Sequence, residues 1–214
     1  MKPTTKRILI ADDHGIVRKG LKETLEEELG KVVFGEAENG RQVIEQVWKQ
    51  KWDLVLLDIN MEGRSGLEIL EEIRKSHPAL PVLILSMYPE EEFAVRAIKQ
   101  GAAGYINKRR ASEELVAAVK RVLEGGRYIT STVAEKLAAD LQRESSQLPH
   151  ETLSNREFQV MRMIASGKSL KEIAADLSIS AKTVGTYHTR LFQKMGMNSD
   201  IELTRYALAK KLVD

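Results

Sequence analysis

The sequence predicts an α/β domain with a doubly wound, five-stranded parallel sheet, followed by a small all-α domain that contains a helix-turn-helix. Over the first 125 residues, short apolar runs alternate with longer amphipathic stretches, the pattern of a parallel sheet covered by helices on both faces. After Thr152 the pattern is helical only. A length of 214 residues fits two modest domains, each able to bury its own core.

Five βα units account for the first domain. The predicted strands are Arg7 to Ala11, Val32 to Ala37, Leu54 to Asp58, Pro81 to Ser86 and Gly104 to Ile106. The predicted helices are His14 to Leu29, Gly40 to Lys49, Gly66 to Ser76, Glu91 to Gln100 and Ser112 to Glu124. Gly30 and Gly101 stand where C-terminal helix caps belong, and Ser112 is predicted to begin the last helix on a partial S-x-x-E pattern.

The second half begins with a linker. Ser131 to Arg143 is predicted as a helix, and Glu144 to Thr152 is rich in Ser, Gln and Pro. Ser154 with Glu157 and Ser169 with Glu172 form capping boxes, and Ser180 can cap the next helix. The predicted helices are Asn155 to Ser166, Leu170 to Leu177, Ala181 to Met195 and Ile201 to Lys211. The domains are therefore 1–127, a linker with a helix over 128–151, and 152–214.

Composition excludes several classes of protein. The chain has no cysteine, which excludes disulfides and thiolate metal sites and agrees with a cytoplasmic protein. No apolar run approaches the roughly 20 residues of a membrane span, and the start carries no signal-peptide core, so no membrane partner is expected. The net charge is only +2, divided as −1 before His150 and +3 from it onward, which permits a nucleic-acid partner without requiring one.

Polar residues fall at successive strand ends. Asp12 and Asp13 follow the first strand, Asp58 ends the third, Ser86 ends the fourth and Lys108 follows the fifth. In an open parallel sheet, ligands bind beyond these ends, where the strand order reverses. Three carboxylates gathered there require a cation, and hard oxygen ligands favour Mg²⁺. Asp58 is then the candidate nucleophile towards a phosphoryl donor, with Lys108 as a second cation.

Each of these residues alone has an ordinary explanation. A single Asp at a strand end is usually a cap or a turn former, and a single Ser or Lys is usually solvated. Five such residues in this order favour a site. Ser86 is placed to hydrogen-bond a new phosphoryl group, and its displacement would let Tyr105 rotate inward, which makes a switch.

The motifs ILIADDH, LVLLDINMEGRSGLE, PVLILS and GAAGYINK resemble the receiver domain of two-component response regulators, which has a flavodoxin-like fold. The resemblance implies phosphorylation of Asp58 by a histidine kinase. It also implies Asp13 as a direct Mg²⁺ ligand, Asp12 acting through water, and the Asn60 backbone carbonyl as a further ligand beside Asp58. Ser86, Tyr105 and Lys108 match the family's switch hydroxyl, switch aromatic and phosphate-binding lysine. Relatives commonly have Met-Pro-Gly where this chain has Met61-Glu62-Gly63, which bears on phosphoryl lifetime.

A turnover enzyme is the alternative for this site. Phosphatases of the haloacid dehalogenase type also use an aspartyl nucleophile beside Mg²⁺, but they carry a second Asp two residues later as acid and base. That position is Asn60 here, so we expect no enzyme activity beyond self-catalysed phosphorylation and dephosphorylation.

The segment Ser169 to Met195 is predicted as a helix-turn-helix whose second helix lies in the DNA major groove. An apolar stripe of Val184, Tyr187, Leu191 and Met195 faces inward. Lys182, Arg190 and Lys194 suit phosphates, while Thr186, Thr189 and Gln193 suit base edges. The candidate DNA-binding residues are Lys182, Thr183, Gly185, Thr186, Thr189, Arg190 and Lys194.

Residues 152–212 resemble the LuxR-type output domain of the NarL/FixJ family, through LSNREFQVMRMIASGKSLKEIAADLSISAKTV and IELTRYAL. Many relatives have Lys or Arg at Gly185 and His at Tyr187. The resemblance implies a transcriptional regulator that binds double-stranded DNA as a homodimer when phosphorylated, with the dimer contact on Ile201, Leu203, Tyr206 and Leu208. The rival is a regulator that acts through protein contacts, whose support is Gly185 in the reading helix.

Overall fold

The computed structural model describes residues 5–61, 63–88, 90–142 and 148–213. The chain divides into two compact units, Met1–Gln142 and Arg143–Asp214. Glu62 of the Met61-Glu62-Gly63 loop and residues 143–147 of the predicted linker lie outside the described residues. No helix within the described ranges combines the length and the apolar character that crossing a bilayer requires.

The first unit is the predicted α/β fold. Its strands are β1 (Lys6–Ala11), β2 (Val32–Ala37), β3 (Leu54–Asp58), β4 (Val82–Ser86) and β5 (Gly104–Asn107). Its helices are α1 (Gly15–Leu29), α2 (Gly40–Lys49), α3 (Gly66–Ser76), α4 (Glu90–Lys99), α5 (Ala111–Leu123) and α6 (Ser131–Gln142), with a 3-10 turn at Lys108–Arg110. All strand pairs of the sheet are parallel, in the order β2-β1-β3-β4-β5.

The centre of the sheet is buried on both faces. Every residue of β3 and β4 is buried, as expected for parallel strands covered by helices on both sides. One side of the core joins the strands to apolar residues of α1 and α5, among them Leu25 and Leu115. This packing fixes the strand ends at one edge, where the predicted polar residues stand.

Several local predictions are tested by the helix boundaries. Gly30 has φ +72° and caps α1, and Gly101 has φ +93° after α4, as glycine C-caps require. The prediction for Ser112 is wrong, because α5 begins at Ala111 and its N-cap position is Arg110. Two N-caps on α-helices of the first unit were not predicted: Ser65 forms a capping box with Glu68 on α3, and Asn39 caps α2.

Helix α6, predicted within the linker, is part of the first unit. It packs against α4, and Val133 is buried in that contact. The preceding segment follows the edge of the sheet, since the Tyr128 N–H donates to the Ala103 carbonyl (2.9 Å). Thr130 also hydrogen-bonds Glu90 at the start of α4.

The second unit is all-α. A 3-10 turn at Pro149–Thr152 leads to α7 (Asn155–Ala165), α8 (Leu170–Asp176), α9 (Ala181–Met195) and α10 (Asp200–Ala209). The predicted capping boxes at Ser154 and Ser169 are both formed, and Ser180 caps α9 by accepting from the Thr183 N–H. Helices α7 and α8 both pack against α9, and α10 packs against α7.

Candidate functional site

The strand order places the acidic residues at the point where the sheet changes direction. The chain passes from β1 outward to β2 and returns to β3 on the other side of β1. Asp12 follows β1 and Asp58 ends β3, so both stand in the crevice that this reversal opens. Asp12 is fully buried and Asp58 is 2% exposed, which removes most of the water that would otherwise stabilise their charges.

Lys108 joins these two carboxylates. Its Nζ lies 2.6 Å from Asp12 Oδ2 and 2.8 Å from Asp58 Oδ2. Burial lowers the pKa of Lys108, but the facing Asp58 and Asp12 outweigh it and the net pKa is raised, so the ammonium stays charged. Burial raises the pKa of Asp58 to about 6, with Asp12 adding to the rise, while Lys108 and the Asn60 backbone N–H act against it.

The donor set at this crevice fits a small divalent cation. Asp12 Oδ1 accepts from the His14 N–H (2.9 Å), whereas Asp12 Oδ2 is buried and receives no aligned hydrogen bond from the described residues, although Lys108 is near. Asp13 is exposed, and ligand atoms of Asp12, Asp13 and His14 lie within 4.8 Å of one another. Mg²⁺ prefers oxygen ligands, so a bound Mg²⁺ would take the carboxylates and not the imidazole.

The predicted switch residues Ser86 and Tyr105 meet at the backbone of Tyr88, just beyond β4. Buried Ser86 accepts through Oγ from the Tyr88 N–H (3.1 Å). The Tyr88 carbonyl accepts from Tyr105 Oη (2.8 Å) and from Asn107 Nδ2 (3.0 Å). The Tyr88 ring stacks on Phe93 of α4 with centroids 4.6 Å apart. The Tyr105 side chain is therefore already buried and turned inward in this structure. The sequence analysis expected it to rotate inward only when phosphorylation displaces Ser86.

Three residues that sequence reasoning missed support this crevice. Arg18 is buried and donates to the Asp12 carbonyl (2.8 Å), Glu36 (2.9 Å) and Glu38 (2.7 Å), which anchors the end of β1. Asn107 also accepts from the Arg109 N–H (2.9 Å), which fixes the turn carrying Lys108. A Cβ on Gly66 would lie 2.1 Å from the Asp58 carbonyl oxygen, so only glycine lets α3 approach β3 this closely.

Arg18 carried a signal in the sequence. It is spaced with Leu21 and Leu25 on the buried stripe of α1, and a charged residue on such a stripe needs partners. Asn107 and Gly66 carried none, because their contacts depend on where neighbouring loops and helices lie.

Helix α9 of the second unit presents the predicted outer face. Val184, Leu191 and Met195 are buried, which fixes the rotation of the helix. The opposite side is exposed and consists of Lys182, Thr186, Thr189, Arg190 and Gln193. A Cβ on Gly185 would meet no atom within 4 Å, so the surface is open at this position.

Two of the predicted DNA-binding residues pair with other side chains of the second unit. Lys194 Nζ lies 2.6 Å from Glu157 Oε2, and Glu157 is buried. Burial raises the pKa of Glu157, but hydrogen bonds from Lys194 and Ser154 outweigh it and hold the pKa below its ordinary value. Thr183 Oγ1 pairs with Ser180 Oγ (2.8 Å) at the helix start. Both side chains therefore have structural roles.

The predicted dimer residues on α10 fall into two groups, those that contact other parts of the second unit and those that are exposed. Leu203 is buried in the unit, and a hydrogen bond joins Tyr206 Oη to His150 Nδ1 (2.7 Å). Leu203 is thus a core residue, which corrects the expectation for it. Ile201 (69% exposed) and Leu208 (49% exposed) remain open apolar positions.

Comparison with known proteins gives the same two parts. Residues 8–120 match the response regulator receiver domain, and residues 151–207 match the bacterial regulatory proteins of the luxR family. Response regulator UvrY of Escherichia coli (strain K12) is 36% identical over 202 residues, which cover 94% of this chain and 93% of that protein. Response regulator GacA of Pseudomonas aeruginosa PAO1 is 36% identical over 209 residues, which cover 97% of this chain and 98% of that protein.

Solved structures agree in fold. RcsB from Salmonella enterica serovar Typhimurium, bound to promoter rprA in the presence of the phosphomimetic BeF3⁻, has a TM-score of 0.62 and 26% identity over 95% of this chain and 98% of its own. A structure of the RcsB–DNA complex has a TM-score of 0.58 and 25% identity over 99% of this chain and 100% of its own.

Proposed function

The chain belongs to the NarL/FixJ family of two-component response regulators, and from this membership we propose that it is a cytoplasmic transcription regulator whose DNA binding is controlled by phosphorylation of Asp58. The phosphoryl group comes from a histidine residue of a partner kinase. The observation that carries the proposal is the buried Asp58 at the switch point of the sheet, joined through Lys108 to Asp12.

The chemistry follows from these groups. An Asp58 carboxylate oxygen attacks the phosphorus of the phosphohistidine, the P–N bond breaks, and its electron pair stays with the imidazole of the kinase. The product is an acyl phosphate on Asp58. With a pKa of about 6, Asp58 is mostly ionised at neutral pH and retains its nucleophilic form. The Lys108 ammonium offsets the negative charge that the phosphoryl oxygens bring into the crevice.

A divalent cation completes the charge balance. Asp12, Asp13, Asp58 and the backbone carbonyl of Asn60 would hold Mg²⁺, with Asp13 a direct ligand and Asp12 acting through water. When bound, Mg²⁺ neutralises the oxygens of the transferring phosphoryl group. Arg18 keeps the Asp12 backbone in place for this task, since it donates to the Asp12 carbonyl.

Phosphorylation then changes the contacts of Tyr88. The Ser86 hydroxyl turns towards the phosphoryl oxygens, which takes its oxygen away from the Tyr88 N–H. Tyr105 remains inward on the Tyr88 carbonyl and holds the loop in the activated arrangement. Phosphorylation thereby shifts the population of the protein towards the activated arrangement, which favours a homodimer and DNA binding by α9. Lys182 and Arg190 then contact phosphates, and Ile201 and Leu208 are available to the dimer contact.

Labelling with acetyl phosphate and Mg²⁺ tests the phosphorylation step. Asp58→Ala should abolish labelling and leave the thermal unfolding of the protein cooperative. Asp176→Ala, which changes an exposed carboxylate of the second unit, is the matched control and should label as the wild type does. Undiminished labelling of Asp58→Ala would remove Asp58 from the proposed role.

Salt-dependent binding of random-sequence duplex DNA by the full chain tests the output step. Lys182→Ala and Arg190→Ala should each weaken binding to all duplexes and reduce the salt slope by about 1, because each removes one phosphate contact. Lys210→Ala, an exposed lysine beyond α10, is the control. Absence of salt-dependent binding by the wild type would favour the rival regulator that acts through protein contacts.

A further inference from the structure

The two threonines on the exposed face of α9 have their hydroxyl groups turned back onto the helix. Thr186 Oγ1 donates to the Lys182 carbonyl (3.1 Å), and Thr189 Oγ1 donates to the Gly185 carbonyl (3.0 Å). Both bonds run from residue i to residue i−4, a pattern available to threonine inside a helix. Each hydroxyl has a single proton, and that proton is already in use.

This arrangement decides what the threonines offer to DNA. Once the proton is held by the helix, neither side chain can donate to the acceptor atoms N7, O6 and O4 of the bases. Each Oγ1 keeps its lone pairs and can only accept, so the group on each Cβ that can contact an apolar part of a base is the Cγ2 methyl. In the major groove the apolar group presented by the base pairs is the C5-methyl of thymine, and a threonine methyl is a suitable partner for it.

Gly185 adds space beside these methyl groups. It precedes Thr186 and lies one helical turn before Thr189, so all three share one region of the surface. A Cβ at Gly185 would meet nothing within 4 Å, so Gly185 leaves open space, here called the recess, where the neighbouring positions of this face carry a side chain. The neighbouring Thr183 does not share this role, because its hydroxyl pairs with Ser180 at the helix start.

Resting on the proposed DNA-binding function, we propose that Thr186 and Thr189 recognise thymine through methyl contacts, with Gly185 providing the recess that admits the C5-methyl group. The ligand class is B-form DNA that carries A·T pairs at the positions facing these residues. Lys182 and Arg190 position the helix on the phosphates, and the two threonine methyls select the base.

Deoxyuridine is the probe, since it lacks the C5-methyl of thymine and keeps its hydrogen-bonding atoms. The full-length protein, treated with acetyl phosphate and Mg²⁺, selects its preferred duplexes from a random library. Each thymine of a selected duplex is then replaced by deoxyuridine in turn. Wild-type protein should bind about fourfold more weakly for each contacted methyl that is removed.

Variants at the two threonines assign that loss. Thr186→Ser and Thr189→Ser keep the hydroxyl and lose the methyl, so each should abolish the deoxyuridine effect at one position. Thr186→Val and Thr189→Val lose the hydroxyl and keep a methyl, so the ratio between thymine and deoxyuridine duplexes should persist. Thr204→Ser on α10 is the matched control, because Thr204 is also bonded to a carbonyl one turn earlier (Asp200, 2.8 Å) but lies on another helix.

The outcomes separate the two proposals. A wild-type protein that shows no salt-dependent duplex binding contradicts the proposed function itself. Binding that is insensitive to deoxyuridine, or a deoxyuridine effect that survives in both serine variants, overturns the methyl contacts while DNA binding stands. A loss of base preference in the valine variants with retention in the serine variants would show that the hydroxyls read the bases instead. Thermal unfolding of every variant establishes that α9 remains folded.

Discussion

Replacement of Gly185 by Ala separates the stability of α9 from its role on DNA. Gly185 lies inside the helix, where glycine is less favourable than alanine by about 1 kcal/mol. The new Cβ meets no atom within 4 Å, so no packing strain offsets this gain. For a unit of this size, a gain of about 1 kcal/mol raises the unfolding midpoint by about 4–8 °C.

The same substitution should weaken DNA binding. The added methyl group fills the recess beside Thr186 and Thr189, which is the space we assign to a thymine methyl. Overpacking of a close contact costs about 1–3 kcal/mol, so affinity for selected duplexes should fall by about fivefold or more. The variant therefore becomes more stable and binds more weakly, a combination that general damage to the fold does not produce.

Differential scanning calorimetry and duplex titration at fixed salt measure both quantities on the full chain. Gly20→Ala is the matched control, because Gly20 lies inside α1 of the first unit and its Cβ also meets nothing within 4 Å. It should give a similar stabilisation in the first unit and unchanged DNA affinity. An unchanged or lowered midpoint for Gly185→Ala would refute the stability argument, and affinity equal to that of Gly20→Ala would refute the recess.

Three further outcomes follow from the contacts. The folded-state pKa of Glu157 is lowered, so its ionisation stabilises the second unit above the ordinary glutamate pKa, and this stabilisation is lost as pH falls through the folded pKa. Unfolding midpoints measured from pH 6 to about pH 3 should therefore fall less steeply for Glu157→Gln than for the wild type, and Lys194→Met should show part of this effect. Equal slopes for the variants and the wild type would contradict the prediction. Gly66→Ala should destabilise the first unit by about 1–3 kcal/mol and slow labelling by acetyl phosphate, because the new Cβ would overlap the Asp58 carbonyl. Normal labelling together with normal stability would show that α3 shifts freely. Asn107→Asp keeps an oxygen that accepts from the Arg109 N–H but loses the donor to the Tyr88 carbonyl, so its free energy of unfolding, measured by chemical denaturation, should fall by about 1 kcal/mol. Asn107→Leu loses both hydrogen bonds and should be less stable still. Equal stability of the wild type and both variants would remove this contact from the proposed switch.

Sequence periodicity was sufficient to predict the helices and strands, because burial of the sheet leaves a strong hydrophobic pattern in the sequence. The bounds of β2, β3, α2, α3 and α9 agree with the prediction to the residue. The other bounds differ by one or two residues, and two of these errors lie where two residues compete for one helix start. Ser112 was favoured over Ala111, and the start of α10 was placed at Ile201 although Ser199 caps it and the helix begins at Asp200. Local patterns cannot choose between neighbouring caps, since each differs by about 1 kcal/mol or less.

The candidate site was predictable in its members but not in its contacts. The βα alternation predicts a parallel sheet with polar residues at its strand ends, and the observed strand order brings Asp12, Asp58 and Lys108 together. The contacts of Lys194 with Glu157 depend on how α7 packs against α9, which no local pattern encodes. The inward position of Tyr105 likewise depends on the loop carrying Tyr88.

We propose that a change at Asp58 reaches the helices of the first unit through Tyr88. Its N–H is held by Ser86, its carbonyl by Tyr105 and Asn107, and its ring by Phe93 of α4. Each hydrogen bond contributes about 1 kcal/mol, so withdrawal of Ser86 changes the balance of this loop by several-fold without releasing it. Because α4 also packs against α6, a displacement of Phe93 would extend to α6, the last helix of the first unit. On this proposal, a small rotation of the Ser86 hydroxyl would bias the end of the receiver, because Tyr105 and Asn107 would keep the loop together while it moves.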